Sequence, residues 1–167
     1  RTAPGQFALL ANRYMERWGV TRETLAKVSV KNHEHATRNP KAHFRSPVTV
    51  EEVLAAPLVA APFGTLDCTP TTDGAAAVVL SSVDWARANA DHYVVIRGFG
   101  LAVTHGYYTT FFDETNDFLG FRATREAAAV AYRQAGISDP RHELDLVECH
   151  DCFTVTELVN TEDLGLC

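Results

Sequence analysis

The chain has 167 residues, a formal net charge of −6 and a sequence pI near 5.6, and 46% of its residues are hydrophobic. This length suits one ordinary domain with its own core, and the negative charge argues against a protein that neutralises nucleic-acid phosphates. No apolar run reaches the roughly 18 residues of a membrane helix, and the few cysteines do not suit a secreted disulfide framework, so we expect a cytoplasmic, reducing compartment.

The first part of the chain predicts two helices. Apolar residues repeat at helical spacing from Phe7 to Trp18, and Gly19 marks the end of that helix. Thr21 is the predicted N-cap of a second helix that runs toward His35. The first 65 residues are therefore expected to be helical and loop-rich, like an insertion or cap rather than part of a sheet.

Two loops and a short helix follow. Residues 38–47 are predicted to form a loop, because prolines stand near both ends. Thr49 and Glu52 have the spacing of a capping box, and the helix that they open must stop near Pro57. Farther along, the aromatic stretch 107–118 shows no clear period and is predicted to be a long loop.

The second half of the chain alternates predicted strands with predicted helices. Strands are expected in the second half of 67–82, over 93–103 and over 143–149, where the residues are apolar or β-branched. Helices are expected over 84–90 and from an N-cap at Thr124 to Ala135, closed by a glycine. This alternation favours βαβ units with a parallel or mixed sheet.

The stretch ECHDCFTVTEL, residues 148–158, predicts the end of a strand, a sharp turn and the start of a helix. His150 and Cys152 are two residues apart and therefore point to the same side of an extended chain. Thr154 and Glu157 have capping-box spacing. The positive end of the helix favours a thiolate at Cys152, and the adjacent His can hydrogen-bond a substrate oxygen.

Other interpretations of the same residues stay open at this point. Cys149 is expected to be an ordinary buried residue on the opposite face of the strand. A zinc knuckle needs two further ligands and a second CxxC motif, which the sequence lacks. A thioredoxin-like redox pair requires a different sequence context around the two cysteines. We expect no metal site at His33, His35 and His43, because the H-x-H spacing turns the first two apart on a helix.

Four motifs carry a resemblance to a known family. They are KNH at Lys31, NPKAHFR at Asn39, DGAAAVVL at Asp73 and HDCF at His150. Together they make nearly the whole chain similar to thiolases of the sterol-carrier-protein-2 type.

The resemblance implies an α/β, thiolase-like fold that is only partly contained in this chain. A complete member has two similar βαβ halves with mixed sheets and a helical loop domain inserted in the first half. Residues 1–66 would be part of the loop domain, 67–90 the last strand of the N-terminal half, and 91–167 the start of the C-terminal half. The first residue is not Met and the last follows Gly165 closely, which also suggests a piece of a longer protein.

The resemblance also implies a reaction and a set of site residues. The family joins or cleaves acyl-CoA thioesters by Claisen chemistry, with coenzyme A thioesters as substrates and no other cofactor. It implies that Cys152 is the acid–base residue, that His150 lines an oxyanion site, and that Thr69 and Phe153 lie near the substrate. The nucleophilic Cys and the G-H-P motif of the family are absent from the sequence, so we expect the isolated chain to be inactive.

The expected partners follow from the same resemblance. They are acyl-CoA or coenzyme A, further copies of the chain in a dimer or tetramer, and a small protein with an OB-fold and a zinc ribbon, with which some relatives pair. Two alternatives remain. One is a retro-aldolase acting on sterol side-chain CoA esters, whose relatives carry tyrosines where this chain has HDCF at His150. The other is a non-catalytic subunit that binds acyl-CoA or a partner chain.

Overall fold

A computed structural model describes residues 2–104 and 117–167. Seven α-helices and one two-stranded hairpin are assigned in these ranges, with a single 3₁₀ turn at Thr65–Asp67. None of these helices has the length and apolar character that a membrane span requires. The predicted loop over 107–118 lies almost entirely outside the described residues. The elements are α1 (Ala3–Trp18), α2 (Arg22–Thr37), α3 (Val50–Ala55), β1 (Leu58–Ala60), β2 (Phe63–Gly64), α4 (Val83–Asn89), α5 (Arg122–Ala135), α6 (Pro140–Glu143) and α7 (Thr154–Asp163).

Local signals account for the ends of the first two helices. The Thr2 hydroxyl accepts a hydrogen bond from the backbone N–H of Gly5, and Gly19 ends α1 in the left-handed region at φ 67°. Thr21 is the N-cap of α2, as predicted, although its side chain makes no capping hydrogen bond to the helix backbone. Trp18 is the last residue of α1, as the apolar repeat predicts, but it is 55% exposed, with the Arg17 guanidinium 4.9 Å from its ring centroid.

The capping box that opens α3 is confirmed. The Thr49 hydroxyl accepts from the N–H of Glu52, whose carboxylate accepts from the N–H of Thr49 at 2.7 Å. The hairpin after it was not predicted. Pro57 and Pro62 flank β1, and prolines so close to a short segment argue against a strand in the sequence. β1 and β2 pair antiparallel and bring Phe63 fully into the core.

The core forms where α7 meets α1 and α2, with α5 along its other side. Phe153 lies at its centre, with its ring 4.8 Å from that of Phe7 and 5.4 Å from that of Phe63. The residue that ends the HDCF motif is therefore a core anchor. The buried cluster consists of Ala8, Leu10, Ala11, Tyr14, Leu25, Phe63, Phe153, Val155 and Val159.

The three predicted strands of the second half are not assigned as strands. Within the described ranges, the backbone pairings are the β1–β2 hairpin and one isolated bridge between Cys68 and Phe153. Val79 and Val94 are 89% and 94% exposed, so the apolar character of these segments does not lead to burial. Apolar periodicity marks a segment that suits a sheet, but a strand exists only when a neighbour supplies the ladder hydrogen bonds.

The start of α5 also differs from its prediction. Its N-cap is Phe121, three residues before the predicted cap at Thr124. The Thr124 hydroxyl instead donates to Asn160 Oδ1 at 3.3 Å, on α7. Gly136 ends α5 in the left-handed region at φ 75°, as predicted.

Candidate active site

The HDCF motif forms a turn that leads directly into α7 and is held through its backbone. The carbonyl of His150 accepts from Asn160 Nδ2 at 3.2 Å, and the carbonyl of Cys152 accepts from the N–H of Thr69 at 3.1 Å. Phe153 forms the isolated antiparallel bridge with Cys68. The turn is therefore fixed by α7 on one side and by the 68–69 segment on the other.

The start of α7 is anchored by tertiary contacts rather than by the predicted capping box. Phe153 is the N-cap residue, Thr154 is already the first helical residue, and no capping hydrogen bond from a side chain is present. The Thr154 hydroxyl donates to Asp67 Oδ1 at 3.1 Å. On α2, Lys31 forms an ion pair with the Glu157 carboxylate, and Asn32 donates a hydrogen bond to it. The predicted box is wrong because both of its side chains have stronger partners elsewhere.

Asp67 is a buried charge that ties three segments together. It is 4% exposed, and its Oδ2 accepts from the N–H of Gly64 at 2.8 Å. The Arg22 guanidinium lies 3.7 Å from the same oxygen. With Thr154 on its other oxygen, this carboxylate joins α2, the hairpin and the first turn of α7.

The two predicted catalytic residues differ in their surroundings. His150 is exposed, whereas Cys152 is half-buried and packs against the core cluster. Cys152 Sγ lies 3.5 Å from the hydroxyl oxygen of Thr156, one turn into α7. The thiol is therefore placed at the beginning of a helix, with an exposed imidazole two residues away along the chain.

A cleft of about 350 Å³ lies beside this turn. Thr69 lines it, together with Cys68, Asp151 and Thr154 from the segments just described. His150, Cys152 and Phe153 are not among its lining residues, although the first two flank Asp151 in the sequence. The structure thus places Thr69 in a cleft and Phe153 in the core, so a substrate contact by Phe153 stays a prediction.

Aromatic and imidazole rings form the far wall of the cleft. His33 Nδ1 lies 3.0 Å from the carbonyl of Ser46, and the His33 ring is stacked on Phe44 with 6.4 Å between centroids. His43 Nδ1 lies 2.8 Å from the Thr72 hydroxyl. Residues 2–104 and 117–167 contain no group of three or more His, Cys, Asp or Glu side chains arranged to hold a metal ion.

Two of the cysteines have thiol pKa values raised by burial. Burial raises the pKa of Cys68 to about 11, and the nearby Asp67 carboxylate adds to the effect. Burial also raises the pKa of Cys149, which the carboxylates of Glu157 and Asp151 reinforce. Because only the thiolate is nucleophilic, both residues are poor nucleophiles at neutral pH. Cys149 is half-buried and lies in no assigned strand, so the expectation of a fully buried strand residue is not met.

Alkylation of the folded chain with iodoacetamide should follow these differences. At pH 8 we expect exposed Cys167 to react readily and Cys68 to react slowest, since roughly one Cys68 in a thousand is ionised at that pH. The rate at Cys68 should rise about tenfold per pH unit up to its raised pKa. Peptide mass spectrometry measures each site separately. Equal rates at Cys68 and Cys167 at pH 8 would contradict the buried environment of Cys68.

Two family descriptions match the chain. "Thiolase, N-terminal domain" matches residues 4–84, and "Thiolase C-terminal domain-like" matches residues 104–167. The two matches follow each other in the order expected for two successive halves, and together they cover most of the chain.

Curated relatives agree with these matches. An acetyl-CoA acetyltransferase of Methanothermobacter thermautotrophicus is 42% identical over 164 residues, covering 98% of this chain and 41% of the relative. The benzoylsuccinyl-CoA thiolase subunit BbsB of Thauera aromatica is 38% identical, covering 98% of this chain and 41% of the relative. Sterol carrier protein 2 of Gallus gallus is 33% identical, covering 98% of this chain and 30% of the relative. The chain therefore spans at most about two fifths of these relatives.

A solved structure has the same fold as this chain. The Ltp2-ChsH2(DUF35) aldolase superimposes with a TM-score of 0.82 at 26% identity, covering 96% of this chain and 42% of that chain. This confirms the predicted fold class, a partial α/β fold of the thiolase type. The division at residues 66 and 90 stays a prediction.

The sequence did not indicate which residues hold the turn. Asn32, Asp67 and Asn160 all contact it or the helix behind it, and none belongs to a recognisable catalytic spacing. Asn32 belongs to the KNH motif, which only the family resemblance singles out. The contacts of Asn32 and Asp67 join positions 119 and 87 residues apart, and that of Asn160 spans ten residues, so no pattern of helix or strand spacing could have revealed them.

Proposed function

Because the chain belongs to the thiolase family, we propose that the full-length protein is a thiolase-type acyltransferase that forms or cleaves 3-ketoacyl-CoA by Claisen chemistry. The observation that carries this proposal is the His150–Phe153 turn, fixed from both sides at the start of α7. Acetyl-CoA acetyltransferases among the relatives support it.

In this proposal Cys152 is the acid–base residue. Its thiolate takes the α-proton of one acyl-CoA, and the resulting carbanion attacks the carbonyl carbon of an acyl group held on a nucleophilic cysteine outside these 167 residues. A carbon–carbon bond forms, the bond from that carbonyl to the nucleophile's sulfur breaks, and the departing thiolate recovers a proton. In the direction of cleavage the same groups act in reverse.

His150 has the role of stabilising the negative charge that develops on the thioester oxygen. An imidazole N–H within hydrogen-bond distance of that oxygen lowers the barrier most when the charge is largest. The exposure of His150 in the described part of the chain leaves the ring accessible to a substrate.

Replacing His150 with Ala in the full-length enzyme should lower kcat on the order of 10²–10³-fold, because the oxyanion loses a hydrogen-bond donor. Steady-state thiolysis measures this change, and an undiminished kcat would contradict the role.

Thr69 is the residue of this chain that we propose for contact with the pantetheine arm of coenzyme A. It lines the cleft through its exposed side chain, and its backbone N–H holds the carbonyl of Cys152. One short segment thus joins the substrate cleft to the acid–base residue. The cleft volume of about 350 Å³ lies at the small end of the usual range for ligand pockets.

A retro-aldolase is the second candidate, because the structural neighbour described above is an aldolase. The HDCF residues favour the thiolase, since the aldolase relatives carry tyrosines there. The same neighbour's description includes a second protein, ChsH2(DUF35), which supports our proposal that a small partner with an OB-fold and a zinc ribbon binds the full-length protein. We further propose a cytoplasmic homo-oligomer, a dimer or tetramer, as the working state.

Product analysis of the purified full-length protein separates these functions. Acetyl-CoA formation from acetoacetyl-CoA and coenzyme A supports the thiolase, whereas release of a free ketone from a sterol side-chain CoA ester supports the aldolase. Neither product, together with measurable acyl-CoA binding, would support a non-catalytic subunit. The isolated 167-residue chain should show no turnover, and thiolysis by it would refute the proposed need for an additional nucleophile.

A further inference from the structure

Two neighbouring residues of α2 reach across to the HDCF turn and to α7. Asn32 Nδ2 donates hydrogen bonds to Asp151 Oδ2 and to Glu157 Oε2, the latter at 2.7 Å. Lys31 Nζ lies 2.7 Å from Glu157 Oε1 and also donates to Asn32 Oδ1 at 2.7 Å. A single amide therefore joins two carboxylates, and an ammonium group closes the network.

This arrangement has an electrostatic cost, because two partly buried carboxylates lie close together. Glu157 has only 15% of its side chain exposed, and Asp151 is half-buried beside it. Burial raises the pKa of Asp151, and the neighbouring Glu157 carboxylate raises it further, while Asn32 and Lys31 act in the opposite direction. A neutral amide with two N–H donors suits this place, because each N–H serves one carboxylate.

The network is important because Asp151 lies between the two proposed catalytic residues. These are His150 and Cys152, and both are held through their backbone carbonyls. The side chain of Asp151 is itself held by Asn32. The contact from α2 therefore acts on the middle of the turn, from a third direction besides α7 and the 68–69 segment.

We propose that Asn32 is a positioning residue, which holds the Asp151 carboxylate and so fixes the turn in the orientation that His150 and Cys152 need. This inference rests on the proposed function, because it assigns those two residues a role in proton transfer and oxyanion stabilisation. Asn32 acts in this proposal through the Asp151 carboxylate, although its side chain also lines the cleft beside the turn. Lys31 supports it by neutralising Glu157, the second carboxylate on the same amide.

The isosteric change Asn32→Asp tests the proposal in the full-length protein. It removes both N–H donors and places a third carboxylate beside Asp151 and Glu157. We expect kcat for thiolysis to fall about 10–100-fold with KM changed less than threefold, because small displacements of catalytic groups carry penalties of this size. Asn89→Asp is the matched control, since Asn89 is exposed at the end of α4 and bonds only to the carbonyl of Trp85 among the described contacts. It should leave kcat within twofold.

A double variant distinguishes positioning from general destabilisation. In N32D/D151N the amide and the carboxylate exchange places, so one N–H to carboxylate hydrogen bond can form again. We expect kcat to recover at least fivefold relative to N32D, at a temperature where thermal unfolding shows every variant folded. A value of kcat for N32D within twofold of wild type, or a double variant with no recovery, overturns the proposal.

The alkylation rate of Cys152 keeps this test separate from the proposed function. If the wild-type full-length protein shows no thiolysis, the proposed function fails, and the rate of iodoacetamide modification at Cys152 then decides the positioning role alone. We expect that rate to change at least threefold in N32D and not in N89D. An unchanged rate in N32D would count against positioning whatever reaction the protein catalyses.

Discussion

Replacing Cys152 with Ala in the full-length protein is expected to lower kcat for thiolysis by roughly 10²–10⁴-fold, the usual contribution of a general acid–base residue. The substitution removes the group that we propose transfers the α-proton but leaves the backbone carbonyl that accepts a hydrogen bond from the Thr69 N–H. Acylation of the separate nucleophilic cysteine should still proceed. Mass spectrometry of the protein after incubation with acyl-CoA should therefore show a trapped acyl adduct while steady-state turnover is lost.

The neighbouring cysteine provides the control. Cys149 is half-buried, and burial raises the pKa of its thiol, so it is a packed residue in this account. Cys149→Ala should change the free energy of unfolding more than it changes kcat. Equal losses of kcat in the two variants, or undiminished turnover in the Cys152 variant, would remove Cys152 from the mechanism.

The largest effect on stability is expected at Asp67. Its carboxylate is buried, accepts from Gly64 and Thr154, and lies near the Arg22 guanidinium. Asp67→Ala leaves that cation without its buried partner and two donors without acceptors. We expect a loss of about 3–5 kcal/mol in the free energy of unfolding, as for other broken buried pairs. Urea unfolding followed by circular dichroism measures it.

Asp67→Asn tests whether charge or shape dominates at this position. The amide keeps the size of the side chain and one oxygen acceptor but loses the charge that faces Arg22. We expect a smaller loss, about 1–3 kcal/mol. Asp91→Ala, at an exposed position, should leave the urea midpoint unchanged. An Asp67→Ala variant as stable as the Asp91 variant would show that the carboxylate does not tie the segments together.

Helix ends could be predicted where their signals are local. Gly19 and Gly136 end their helices in the left-handed conformation that glycine tolerates best, and the Thr49–Glu52 capping box forms as its spacing indicates. Each of these contacts joins residues within one turn of the backbone. The pattern in the sequence is then sufficient to determine the contact.

The same kind of signal failed where a distant partner competes for the side chain. Thr154 and Glu157 have capping-box spacing, but Thr154 bonds to a carboxylate 87 residues away and Glu157 to an amide 125 residues away. Thr124 likewise donates a hydrogen bond to Asn160 on α7 instead of capping its own helix. These failures coincide with the candidate site, where tertiary contacts override local preference.

The strand predictions show a different limit. The segments around Val79, Val94 and Leu146 have the apolar character of sheet strands, yet these side chains are exposed in the described residues. Their composition indicates that these segments could form strands. Whether they do depends on a neighbouring strand to accept and donate backbone hydrogen bonds, and the sequence pattern does not show whether one is present. For the candidate site, sequence and resemblance identified the turn at His150–Phe153, whereas its supports at Asn32, Asp67 and Asn160 required the structure.

Cys152 is the residue that we propose moves the α-proton of an acyl-CoA. The most direct measurement is the incorporation of solvent deuterium into the methyl group of acetyl-CoA, followed by NMR, with the full-length protein and its Cys152→Ala variant in D₂O. We predict exchange with the wild-type protein and no exchange above background with the variant. Exchange at equal rates in both proteins would contradict the assignment of the HDCF turn as the acid–base site.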